Sequence, residues 1–461
     1  MYKSLFGCLA GGLLLGGSAW AAMTSYVALP GMSAPEHPYA SWETAATNIQ
    51  TALAAVQNSE GANAVIVTAG VHSLTAVVGI YTSVTIRSWS DGNIDPTNTI
   101  FDAGGSSARF NISHSNAVLE GFTLRNGTNC GVNLTFGTVR NCLIISNSGV
   151  NGGGVIMTGG RVENCLISTN ISTSGAGGGG GGVYMHAGTV SQSRITGNVC
   201  TNAVGGGVYI ATTGLVENCV IDNNTAKATG GGLYLLYDGS LVGCSIRSNV
   251  SLGSGASGGG IYLEYGAKAN GGVLIDRCLI THNVATNLAY GGGLYIKIPS
   301  RGTVRNSLFM YNHAYYFGGG VAIYGTNGLL ENCTIVSNIA GIPGGYASPA
   351  GGGVLMQVGG AATNCIVMYN LTVSAAGVTN LGNYRLVSTP TGRFDNCCTY
   401  PLPPVGDNNI TNDPLFAAPD ADNLRHRLHQ TFQTNKKDKG KRKNHNPPLG
   451  RTAFSPLTFC R

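Results

Sequence analysis

The sequence predicts an all-β solenoid, a single-stranded parallel β-helix, on three observations: a recurring glycine triplet, a recurring asparagine, and strict alternation between them. The triplet begins at Gly152, Gly180, Gly205, Gly230, Gly258, Gly291, Gly318 and Gly351, and Val, Leu or Ile follows it every time. A second block reads NCLIISN at 141–147 and NCVIDNN at 218–224, with related copies up to NCIVMYN at 364–370. Each copy ends in Asn: Asn147, Asn170, Asn198, Asn224, Asn249, Asn283, Asn312, Asn338 and Asn370. The second residues of successive copies lie 23 to 34 residues apart, a period at which stacked units follow one another.

The stretch 205–224, GGGVYIATTGLVENCVIDNN, shows how one unit is built. Val208 and Ile210 alternate with Tyr209, so the aliphatics point inward along a strand and the tyrosine points outward. Val216, Cys219 and Ile221 break this alternation. A bend at Glu217-Asn218 restores it, because Asn tolerates a left-handed backbone. Each unit therefore reads as short strands joined by tight corners, and the array as roughly ten to thirteen coils. The triplet glycines suit close backbone approach or unusual φ. The asparagine column is expected to form a structural ladder, amide bonded to amide inside a corner.

The ends differ from the array. Lys3, the apolar run 5–17 and Ala19-Trp20-Ala21 form a signal peptide over 1–21, too short to span a membrane. Residues 22–63 are expected to hold a capping helix: between Ser41 and Asn58, Ala45, Ile49, Ala52, Leu53 and Val56 share one helical face. Such a helix would cover the open end of the sheets. The β-helix is expected over 64–423. Residues 424–461 carry ten Lys and Arg and one Asp, a basic tail expected to be disordered, whereas the preceding 423 residues hold 16 bases and 19 acids. The total charge of +6 thus hides a nearly neutral body.

Glycine triplets alternating with C-x-I-x-x-N are similar to the GGA[ILV] and FxxN repeats of polymorphic outer-membrane protein passengers. Over roughly residues 40 to 420 the chain resembles right-handed parallel β-helix proteins of the pectate-lyase-like superfamily. LEGFTLRNG (119–127) resembles the stretch that precedes such repeats, and the segment Asp407 to Phe416 resembles their closing segment. The resemblance implies a right-handed coil, in line with the general crossover preference. It implies no single chemistry, because this scaffold carries polysaccharide lyases, hydrolases and adhesins alike.

Five successive outward positions are tyrosines: Tyr184, Tyr209, Tyr234, Tyr262 and Tyr295. They should line one face about 4.8 Å apart, the spacing of neighbouring strands. Two residues further on, the same face bears His186, Glu264 and Lys297, the last two on adjacent coils where a cross-strand ion pair is expected. An exposed aromatic ladder with polar flanks suits an extended extracellular polysaccharide; alternatively the rings serve only to tie coils together.

No residue set nominates a reaction. Glu163, Glu217, Asp276 and Glu331 share one repeat position, but intervening coils place Ser191 and Val242 there, so adjacent carboxylates are not obtained. The cysteine column is expected to be buried and reduced. Its spacings match no metal site, and neither a metal nor a cofactor is expected. KKDKGKRK (436–443) lacks interleaved aromatics, so no nucleic-acid partner is expected. The expected function is that of an exported, non-catalytic surface or adhesion-type protein. A polysaccharide lyase or glycoside hydrolase is the alternative.

Overall fold

The computed structural model describes residues 22–414, apart from 58–60, 90–93, 176–177, 266–271, 298–300 and 388–391. The expected signal peptide and basic tail lie outside the described residues. Among the described residues there are four sheets of 14, 13, 10 and 12 strands, here sheets I to IV in the order the chain meets them in a coil, and sheet III begins only at Ser148–Gly149. One coil visits sheet I at Leu215–Glu217, sheet II at Val220–Asp222, sheet III at Thr225–Ala226 and sheet IV at Leu233–Leu235. Strands pair in parallel with the equivalent strand of the next coil, as Val216 does with Leu241 and Ile221 with Ile246, except that Leu371–Val373 pairs antiparallel with Thr379–Leu381 at the end of sheet III.

The expected bend between sheets I and II is present. Asn141, Asn164, Asn218, Asn306, Asn332 and Asn364 all have φ between 50° and 55°. A second left-handed bend, absent from the sequence reading, falls one residue before each corner asparagine. There Ser146, Thr169, Asn223, His282 and Tyr311 have φ of 53° to 56°. The two bends keep Val208, Ile210, Val216, Cys219 and Ile221 inside the tube, each at most 1% exposed.

Each corner asparagine is buried and binds the next. The Asn224 backbone N–H and side-chain Nδ2 both donate to Asn249 Oδ1 at 3.0 Å, while Nδ2 also donates to the Ile195 carbonyl at 2.9 Å. The same pattern links Asn147 through Asn370 and ends on Asn383. The triplet glycines pack backbone against backbone. A Cβ on Gly206 would lie 2.3 Å from the Gly231 carbonyl oxygen, and the leading glycine of that triplet, Gly205, has φ of +69°.

The N-terminal end departs from expectation. The helix runs only from Ile49 to Val56, with Asn48 capping the Thr51 N–H, rather than from 41 to 58. Ile49, Ala52, Leu53 and Val56 are buried as foreseen, but Ala45 lies outside the helix. The reason is competition for backbone bonds: Ala46 donates to the Tyr26 carbonyl and accepts from the Ala28 N–H, both at 2.9 Å. Thr24–Val27 is itself a strand of sheet I paired with Asn63–Thr68, so the sheet begins well before residue 64. At the other end Phe394 donates its N–H to Val405 and Thr399 to Ile410, so residues 405–410 lie across the last coil. No helix among the described residues is long and apolar enough to cross a membrane.

Candidate functional site: the tyrosine face of sheet IV

Sheet IV holds Tyr184, Tyr209, Tyr234, Tyr262 and Tyr295 in direct register. Their rings stack with centroids 5.0, 5.2, 5.2 and 5.0 Å apart, the first three pairs within 10° of parallel. The row forms, but it is not the exposed surface expected. Tyr209, Tyr234, Tyr262 and Tyr295 are only 2%, 7%, 6% and 8% exposed. Each ring covers its neighbours' faces, and Val204, Leu236, Tyr290, Phe317 and Tyr324 pack against the row from its sides. Tyr184, at the end of the stack, stays half-buried. Burial pushes the hydroxyls of all five above the ordinary tyrosine range.

The polar partners divide. Glu264, itself buried, lies beside the Tyr234 and Tyr262 hydroxyls, where its charge adds to the effect of burial in pushing them up, and it pairs with the Lys297 ammonium, the expected cross-coil ion pair. His186 is not brought to this cluster. It sits three coils away in register and meets Tyr184 edge-on at 5.2 Å.

The exposed aromatics are ones the sequence reading passed over. Tyr237 and Tyr265, 44% and 43% exposed, stack at 5.8 Å, and Lys297 Nζ lies 5.8 Å from the Tyr265 ring. The signal was available, since both are the fifth residue after a triplet in consecutive coils. The face thus has a buried tyrosine floor, one exposed aromatic pair and an ion pair at its edge.

Elsewhere arginines pair with Asp102, Glu120, Asp222, Asp276 and Asp395. The sheet I column runs Arg87, Glu120, Arg140, Glu163, Ser191, Glu217, Val242, Asp276, Arg305 and Glu331 in register, so no two acids are adjacent in it. Arg140 binds Glu120 through both Nε and Nη2, at 2.8 and 2.9 Å. The cysteines among the described residues are free and buried. Cys219 donates to the Glu217 carbonyl at 3.2 Å, and burial pushes the Cys130 thiol up to about 12.

Residues 216–388 match the family model described as a right handed beta helix region. The fold is a right-handed parallel β-helix. Among solved structures the chain is similar to the catalytic unit of a thermostable GH87 alpha-1,3-glucanase from Streptomyces thermodiastaticus, at 16% identity and a TM-score of 0.40. That match covers 79% of this chain, which spans 65% of the length of the glucanase unit. A GH87 alpha-1,3-glucanase catalytic domain in complex with tetrasaccharides matches at 14% identity and a TM-score of 0.36, over 80% of this chain and 69% of that one. A rhamnogalacturonan lyase matches at 15% identity and a TM-score of 0.26, over 82% of this chain and 87% of that one. No curated protein matches the sequence. These likenesses concern the fold and carry no assignment of activity.

Proposed function

We propose that the β-helix is an exported, non-catalytic surface or adhesion-type protein that takes an extended polysaccharide along the edge of sheet IV. The observation that carries this reading is the exposed, stacked pair Tyr237 and Tyr265 beside the Glu264–Lys297 ion pair. The two stacked rings leave an exposed apolar surface against which sugar rings can pack. The ion pair supplies a donor and an acceptor for their hydroxyls at no net charge. The buried tyrosines beneath act as a stiff floor and do not touch the ligand.

Glycan-array binding by the full chain tests the reading. Replacing Tyr237 and Tyr265 together by Ala should weaken binding roughly tenfold, about 1.4 kcal/mol, while the melting midpoint holds, because both side chains are exposed. Undiminished binding by that variant would remove the platform from the argument. The chain incubated with uronic-acid and neutral polysaccharides should release neither unsaturated nor reducing ends. Release of either would replace the adhesion reading with the lyase or hydrolase one.

A further inference from the structure

On a different wall of the solenoid, the outer face of sheet II, two open cavities of about 610 and 530 Å³ adjoin at Arg194 and follow one another along the helix axis as a groove. The first is floored by Leu143 and Leu166 and edged by Asn141, Asn164 and Gln192. In the second the strands Arg194–Thr196, Val220–Asp222 and Ser245–Arg247 lie side by side. Asp222, 1% exposed, is bound by Arg194 through Nε and Nη2 at 3.2 and 2.8 Å, and by Arg247 through Nη2 at 3.2 Å.

Two guanidiniums against one carboxylate leave an excess positive charge. Each guanidinium has five N–H donors, and the Asp222 contacts use two of them on Arg194 and one on Arg247. The side chains are 51% and 50% exposed and line the second cavity together with the donors Asn223, Ser245, Ser248 and Thr281. Asp222 is the sole acid among the described residues lining either cavity, and its charge is already taken up. The other acids of these coils line neither cavity: Glu217 and Asp276 stand on sheet I beyond the left-handed bend, as does Glu163, which borders Asn141, Asn164 and Gln192, and Asp238 and Glu264 follow the sheet IV strands.

We infer that this groove binds an extended acidic polysaccharide, with the carboxylate or sulfate group of one sugar seated between Arg194 and Arg247. The geometry suits that class. The two arginine-bearing strands are two strand spacings apart, roughly 9–10 Å along the axis, and half-buried leucines on the first floor match the apolar faces of pyranose rings. Forked guanidiniums bind planar or tetrahedral oxyanions through paired hydrogen bonds. Asp222 holds both forks in place.

Fluorescence anisotropy of the full chain with labelled oligogalacturonate, dextran sulfate, neutral dextran and single-stranded DNA tests the inference. Either acidic glycan should bind and neutral dextran should not, the better acidic probe identifying carboxylate or sulfate as the group read. Removing the arginines alone would strand a buried carboxylate, so the informative variant is R194Q/D222N/R247Q, which leaves no charge in the cluster but retains groups able to hydrogen-bond. It should bind at least tenfold more weakly with an unchanged melting midpoint. D222N alone should bind several-fold more tightly, because it frees both guanidiniums. K441Q/R442Q in the basic segment should change affinity less than twofold, separating this groove from that segment. Wild-type affinity in the triple variant, weaker binding by D222N, or DNA binding equal to that of the glycans would overturn the inference.

Discussion

Replacing Asn249 by Ala tests what holds one coil to the next. The side chain is fully buried in the middle of the asparagine ladder. Its Nδ2 donates to the Ile221 carbonyl at 2.9 Å and to Asn283 Oδ1 at 3.0 Å, and its Oδ1 accepts from the Asn224 N–H and Nδ2 at 3.0 Å. Four hydrogen bonds vanish, each contributing about 1 kcal/mol net. One main-chain group, the Asn224 N–H, is left dry without a partner at roughly 1–3 kcal/mol, while the Ile221 carbonyl keeps its bond in the sheet II ladder. The second loss is contained in the first, so the expected cost is about 4 kcal/mol at most. For a chain of this size that corresponds to a melting midpoint lowered by roughly 5 °C. Thermal and urea unfolding of the purified variant measure it, with Asn218→Ala on the solvent side of the neighbouring bend as the comparison. A loss under about 1 kcal/mol for Asn249→Ala would refute the ladder as the axial tie and leave apolar burial to explain the stacking.

Two further outcomes follow from the same geometry. Gly206→Ala should destabilise strongly, by several kcal/mol or about 3 or more, because the added Cβ falls 2.3 Å from the Gly231 carbonyl oxygen and 2.5 Å from the Thr225 carbonyl carbon, both rigid backbone. Urea unfolding measures that loss, and a near-neutral effect would mean that the coils can slide apart. Acid should also weaken the fold through Asp222 and Asp276. Burial alone would raise their carboxyls. Hydrogen bonds from Arg194 and Thr196 to Asp222, and from Asn306 and Arg305 to Asp276, outweigh it and hold both below the ordinary Asp range. With folded values depressed, the unfolded chain binds more protons, so this stability is complete above the unfolded pKa and lost as pH falls through the folded one. The urea midpoint should therefore drop between about pH 5 and about pH 2, and Asp276→Asn should flatten that drop.

The fold was legible because its code is local and repeated. Alternation around Tyr209 assigned the two sides of a strand, and the break between Val216 and Cys219 demanded the bend found at Asn218. Exposure was not legible in the same way. Alternation says that Tyr234 leaves the tube, but not that its own neighbours Tyr209 and Tyr262 will close over it. That depends on register across coils far apart in sequence. The second bend was hidden because Ser146, Thr169, His282 and Tyr311 share no chemistry; the corner asparagine beside each one does the anchoring. The strand at 24–27 carries no repeat mark, and Ala46 left the expected helix because that strand claimed its backbone. Arg194 and Arg247 carry no repeat mark in the sequence, and only the register across coils sets Asp222 between them.

The asparagine ladder has a consequence for how such a chain can lengthen. Every rung presents the same donors upward and the same acceptor downward, so any coil can follow any other without a special junction. Insertion or loss of a whole repeat would leave the remaining rungs matched, whereas a change of a few residues must be absorbed before the next triplet, where lengths already vary most. The reach of both outer walls is therefore quantised, growing in steps of about 4.8 Å, and a duplicated coil would carry its own tyrosine or arginine into line with the rest.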